Sequence, residues 1–118
     1  MSDNIHTDDP AGLRERFPEM LQQAFDVSTP PGWMPLVARL LERIDATLAP
    51  EDRGSFRVSQ IKEKFGGLRC YHNGGEDIEE MVDAADEEAQ RTCEVCGAPG
   101  RKRTGGWIAV RCDEHSEV

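Results

Sequence analysis

Two cysteine-bearing pairs near the C-terminus constrain this chain more than any other feature. Cys93-Glu-Val-Cys96 is a C-x2-C pair, and Cys112-Asp-Glu-His115 is a C-x2-H pair, with fifteen residues between them. Two residues between ligands let one tight turn present both side chains to a single ion. Two such turns supply four donors in a tetrahedron, the arrangement that zinc prefers in closed structural sites. Gly97, directly after the first pair, suits a knuckle needing positive φ. The segment between the pairs fits a ribbon: Pro99-Gly100 turns the chain, Arg101 to Thr104 forms a strand, Gly105-Gly106 a tight turn, and Trp107 to Arg111 the return strand. Trp107, Ile108 and Val110 are expected to cover the metal or dock the ribbon on the rest of the chain.

All four metal positions, Cys93, Cys96, Cys112 and His115, come from the protein, so no open position is left for a reacting water. A zinc deaminase would need H-x-E together with P-C-x-x-C, and neither occurs. One structural Zn²⁺ is therefore expected. A disulfide plus coincidental residues is the alternative. Thiols stay reduced in the cytosol, so a cytoplasmic location favours metal.

The 118 residues point to a single domain with a modest core. Hydrophobic residues make up 37% and charged residues 31%, a globular composition. The 23 acids and 14 bases give a net charge of -9, which disfavours phosphate backbones and anionic membranes as partners of the whole chain. No apolar run of membrane-spanning length occurs, and the acidic start lacks the basic and apolar regions of a signal peptide.

Residues 1–10 read as a flexible tail. Leu13, Phe17, Leu21 and Phe25 recur at steps of four and predict a helix from Ala11, interrupted or restarted at Pro18. Ser28 to Gly32 breaks the pattern. A second helix opens near Trp33 on a Leu36, Leu40, Ile44, Leu48 stripe and ends by Ala49-Pro50. Phe56 to Tyr71 predicts a β-hairpin turning at Gly66-Gly67, with Ile61 out of phase and so allowing a bulge. Such a hairpin is marginal alone and needs helices or a third strand. Glu76 to Arg91 predicts a helix with Ile78, Met81, Val82, Ala85 and Ala89 inward and an acidic outer face. The expected fold is thus α+β: a body at residues 11–92 of helices, a hairpin and an acidic helix, with a zinc ribbon at 93–118 packed on it. The ribbon is too polar to fold without its metal.

Charge is distributed unevenly. Residues 70–92 hold eight acids and one base, whereas 97–111 hold Arg101, Lys102, Arg103 and Arg111 and no acid. Arg101, Lys102, Arg103 and Trp107 combine cations with an aromatic at the ribbon tip, which suits contact with a partner or with nucleic acid. Pairing of this tip with the acidic helix competes with that reading. Cys70 and His72 lie two apart on one strand and face the same side, but no third orienting group marks a nucleophile. Neither a phosphate loop nor an EF-hand spacing is present.

Two stretches, QIKEKFGGLRCY at residues 60–71 and RTCEVCGAPGRKRTGGWIAVRCDEH at 91–115, resemble a family of small uncharacterised bacterial and phage proteins. These carry a KEKFGGLR hairpin motif, a Trp-containing helix like GWMPLVARLLERID upstream and a C-terminal CxxC…CxxH ribbon. The resemblance covers the chain from Gly32 onward. It implies an intracellular or phage-encoded zinc protein with Cys93, Cys96, Cys112 and His115 as ligands. Together these readings predict a non-enzymatic protein-interaction or regulatory module, such as a phage-encoded inhibitor of a host factor, with no membrane association or small-molecule substrate. The alternative is a nucleic-acid-binding ribbon that uses residues 101–107.

Overall fold

The computed structural model describes residues 9–116, and the fold is α+β. Eight of the ten residues expected to form a tail lie outside the described part. The chain enters helix α1 (Pro10–Arg16), with Asp9 as N-cap accepting from the Gly12 N–H at 2.7 Å. This carboxylate satisfies a donor that the first turn cannot. Next come strand β1 (Asp26–Ser28), a single 3₁₀ turn (Pro31–Trp33), helix α2 (Met34–Thr47) and the one-turn helix α3 (Pro50–Arg53). Strands β2 (Val58–Lys64) and β3 (Gly67–His72) precede helix α4 (Glu76–Ala89). The ribbon strands β4 (Arg101–Arg103) and β5 (Ala109–Arg111) and a 3₁₀ turn (Asp113–His115) complete the described chain.

The first helix is shorter than the four-residue periodicity predicts. Pro18 disfavours helical geometry at the preceding residue, and Phe17 leaves the helix at φ -128, ψ 61. The chain then runs through turns in which Met20, Leu21 and Ala24 still reach the core. Arg14 secures those turns by donating to the Leu21 and Ala24 carbonyls at 3.2 and 3.1 Å. Phe25, predicted to extend the buried stripe, is 74% exposed, and Val27 is buried instead. The reason is β1, which the periodicity did not reveal. It pairs in parallel with β2, Val27 opposite Ile61, and its three residues alternate between half-buried, buried and exposed.

β1 supplies the third strand that the hairpin needs, giving the order β1-β2-β3. A register shift between Val58 and Gln60 in the β2–β3 ladder lets Val58 and Ile61 both face inward, which accounts for the phase slip in the sequence. The hairpin turns at Phe65-Gly66, one residue earlier than predicted, because Gly67 already pairs with Lys64. Both turn residues have positive φ, 54 and 80, as a two-residue hairpin turn of the primed type requires.

α2 and α4 cover the sheet. Leu36, Val37, Leu40, Leu41 and Ile44 of α2 meet Ile78, Val82, Ala85 and Ala89 of α4 in one core that also takes in Trp33, Leu68 and Cys70. Burial at this scale provides about 25 cal/mol per Å² of apolar surface. Among the described residues, no helix is long and apolar enough to cross a membrane.

The ribbon is docked rather than tethered. Val110 belongs to the main core. Trp33 is fully buried and donates its indole N–H to the Thr92 carbonyl at 2.8 Å, and the Gly32 N–H donates to the Glu94 carbonyl at 2.8 Å. A methyl group at position 32 would collide with the Cys93 carbonyl and sit 2.7 Å from the Glu94 carbonyl carbon. Gly32→Ala should therefore destabilise the protein by about 1–3 kcal/mol, the range for forced overpacking. Urea unfolding measures this, and an unchanged midpoint would mean that the turn does not seat the C-terminal segment.

Candidate metal centre

Each ligand of the C-terminal site sits on a turn fixed by local backbone bonds. After α4 ends, the Cys93 N–H donates to the Ala98 carbonyl at 2.7 Å and the Gly97 N–H to the Cys93 carbonyl at 2.9 Å. Gly97 adopts φ 84 to close this knuckle, as its place in the sequence predicts, and a side chain there would press on the Gly32 carbonyl at 3.2 Å. The second turn is the 3₁₀ segment, where the His115 N–H donates to the Cys112 carbonyl at 3.1 Å.

These turns bring together all four predicted ligands. The donor atoms of Cys93, Cys96, Cys112 and His115 lie within 4.8 Å of one another. Cys96 Sγ is 3.8 Å from Cys112 Sγ, and His115 Nδ1 is 3.8 Å from Cys93 Sγ and 3.2 Å from Cys112 Sγ. A tetrahedral ion with metal–sulfur bonds of about 2.3 Å spaces its donors by about 3.7 Å. The set therefore fits one metal ion. It does not fit the disulfide alternative, since all four cysteines are free and a disulfide requires a sulfur separation of about 2 Å.

The electrostatics favour a cation. Burial opposes ionisation of the Cys93 thiol, but backbone N–H groups of Cys112, Cys96 and Val95 outweigh it and lower its pKa to about 6. At Cys96 the Ala98 N–H favours the thiolate, yet desolvation and the sulfurs of Cys93 and Cys112 raise its pKa. The Cys93 thiolate is easily formed, and a second at Cys96 is resisted until positive charge enters the centre.

Residues that the spacing did not single out brace the site. The Glu94 N–H donates to the Val110 carbonyl at 2.9 Å, and its carboxylate accepts from Arg111 Nε at 3.1 Å. This pair is largely buried, with side-chain exposures of 14% and 19%. It ties the first knuckle to β5, and with Gly32 and Trp33 it holds the metal ligands against the body. The signal for Glu94 and Arg111 was only opposite charge within the ribbon. The signal for Gly32 was its place before a tryptophan.

The ribbon tip differs from the predicted one. A loop from Thr104 to Ile108 replaces the tight Gly105-Gly106 turn, and the return strand starts at Ala109. Trp107 neither covers the metal nor docks the ribbon, because it is 71% exposed. The Gly106 φ of 100 swings the loop outward, and Val110 takes the docking role. Arg101 and Lys102 are exposed. Arg103 folds back, donating to the Arg111 carbonyl at 3.1 Å and to Asp113 at 3.0 Å. The cations of the tip are therefore not paired with α4 among the described residues: the ion pairs there are Arg103–Asp113 and Arg111–Glu94.

Cys70 and His72 lie on β3, facing α4. Burial, and then the Glu79 charge, push the Cys70 thiol up to about 12. His72 Nδ1 accepts from the Gly74 N–H at 3.0 Å, so Nε2 carries the proton and donates to Glu79 at 2.8 Å. Both ring nitrogens are committed, and the histidine has no lone pair left with which to activate the thiol. No protein-family model, curated protein or solved structure matches the chain.

The pH dependence of metal retention follows from Cys93. Its folded pKa is depressed from 9.0 to about 6. The stabilising thiolate form is therefore present above the ordinary thiol range and is lost as pH falls through about 6. A bound ion competes with the proton for that thiolate, so loaded protein should hold its ion at neutral pH and release it to a colorimetric indicator only on acidification below the range in which the metal-free thiol titrates. Retention that does not weaken as acid is added would show that the thiolates are not the anchoring groups.

Proposed function

We propose that the protein is a non-enzymatic zinc-binding module for protein–protein interaction, with one structural Zn²⁺ held by Cys93, Cys96, Cys112 and His115. The observation that carries this reading is the pairing of a closed four-donor site with an exposed tip. Three thiolates and one imidazole in a tetrahedron match the preferences of zinc over harder cations. With four protein donors the ion has no position for substrate, so its contribution is to folding. The zinc then serves to hold out a loop in which a large aromatic faces solvent beside free cations. Tryptophan is enriched among the residues that dominate binding to a partner.

The cytoplasm of a bacterial or host cell suits a chain with reduced, metal-binding thiols. The size, the acidity and the resemblance to small bacterial and phage proteins fit a regulator, such as a phage-encoded inhibitor of a host factor. The exposed Arg101 and Lys102, on the strand that leads into the loop of Trp107, favour a second reading, a nucleic-acid contact through phosphates and base stacking. The withdrawal of Arg103 into the ribbon weakens it.

Protein purified without added metal should contain about one zinc per chain, and Cys96→Ser should lose it. The zinc-loaded protein should retain a stoichiometric protein partner from a nuclease-treated lysate of its native host, and the chelator-treated protein should not. Retention of nucleic acid instead, with affinity falling steeply as salt rises, would replace the first reading with the second.

A further inference from the structure

We infer that the tips of the two hairpins form one composite docking surface for an acidic peptide segment bearing a large apolar anchor side chain. This inference rests on the reading of the chain as a protein-interaction module and assigns the surface and the chemistry of the partner. The β2–β3 turn and the ribbon loop lie side by side. A methyl group on Gly66 would lie 3.0 Å from Lys102 Cε, 3.4 Å from Ile108 and 3.6 Å from Val110. Between them opens a cleft of about 340 Å³ lined by Glu63, Lys64, Phe65, Gly106, Trp107 and Ile108. Phe65 is 64% and Trp107 is 71% exposed, so two aromatic side chains from distant parts of the sequence border one opening. The cleft is rigidly supported, because β2 runs through the sheet and Val110 is in the core.

The backbone gives an independent reason to assign a role to Phe65. Both central residues of a type I′ hairpin turn need positive φ, which Asn, Asp and Gly adopt at little cost. Phe65 is the one described non-glycine residue with positive φ, at 54, in a conformation that a bulky side chain disfavours. It fills no core position that could offset this strain. A residue poor for the turn and unneeded for packing is accounted for if its ring contacts a partner.

Charge selects the partner. Lys64 lines the cleft and Lys102 reaches the Gly66 turn beside it, both exposed, with Lys64 Nζ 5.8 Å from the Phe65 ring. The acid among the lining residues, Glu63, is engaged by the Gly66 N–H at 2.9 Å. This local cationic rim on a chain of net charge -9 complements a carboxylate-bearing segment. A nucleic-acid strand fits less well. Glu63 lines the cleft itself, and Asp86 accepts from the Leu68 N–H at 2.8 Å close to the turn of the same hairpin. A continuous phosphate backbone leaving the cleft would meet the acidic face of α4, whereas a short peptide needs only the rim and the cleft.

Fluorescence anisotropy tests the surface with four labelled probes on the zinc-loaded protein. They are a short polyglutamate peptide with a central tryptophan, the same peptide with central alanine, a polylysine counterpart with central tryptophan, and a thymidine oligonucleotide. The acidic tryptophan peptide should bind with Kd below about 1 mM, and each other probe should bind at least about tenfold more weakly. Trp107→Ala and Phe65→Asn should each weaken that peptide by about tenfold or more. Both should retain one zinc per chain, and Phe65→Asn should melt at the same temperature as the parent or higher. Failure of every probe to bind, tighter binding of the oligonucleotide, or unchanged peptide affinity in both variants would overturn the surface. A melting temperature lowered by Phe65→Asn would overturn the strain argument for Phe65. A protein partner captured equally well by parent and both variants would remove this surface while leaving the wider interaction reading intact.

Discussion

The contact between the Gly32-Trp33 turn and the Cys93–Gly97 knuckle is the constraint on which the rest of the structure depends. It joins the start of α2 to the end of α4 through backbone groups. The Gly32 N–H meets the Glu94 carbonyl and the Trp33 indole meets the Thr92 carbonyl, each at 2.8 Å. No side chain fits between them, because the approach at Gly32 leaves no room for a Cβ. The knuckle orients the first two ligands, so a turn about sixty residues upstream helps to set the metal geometry. Any ion held by the four donors is coupled to packing of the body through this contact, and the ribbon is an extension of the core more than an appendage.

The sequence made the local features legible and concealed those that rely on long-range pairing. Ligand spacing identified Cys93, Cys96, Cys112 and His115 because two-residue gaps and a following glycine are local geometry. The α2 stripe was readable for the same reason: Leu36, Leu40 and Ile44 recur at helical spacing over several turns and are all buried. β1 was not legible. A three-residue strand has too few positions for a period, and its identity comes from pairing with β2. The same segment misled the reading of Phe25, whose spacing continued a helical stripe that Pro18 had already ended. Trp107 looked like a docking residue because aromatics are usually buried. Its exposure follows from a glycine loop that composition alone read as a tight turn.

Eight of the 23 acids lie on α4, a helix that has structural work of its own. Asp86 caps the Leu68 N–H, Glu79 receives the His72 proton donor, and Glu88 pairs with Arg39 at 2.6 Å. These contacts tie α4 to β3 and α2, so part of what reads as a solvated acidic face fixes the helix in place. Exposed pairs such as Arg39–Glu88 contribute little energy individually. The Asp86 carboxylate matters more, because it satisfies a backbone donor that no strand reaches.

The ribbon is built around the four clustered donors and its own buried charge. Four donors from two turns hold a short ribbon that brings its own ion pair, Glu94–Arg111, into a largely buried position. Breaking one partner of such a pair leaves an uncompensated charge beside the metal thiolates. The ribbon therefore cannot unfold locally without exposing the ligands. Its rigidity lets five residues, Thr104 to Ile108, project from the body without strand pairing. A loop of that composition would otherwise sample many conformations at a cost of about 1–2 kcal/mol per residue when ordered on binding. Anchoring both of its ends, one through Arg103 to Asp113 and the other through Val110 to the core, removes part of that cost before any partner arrives.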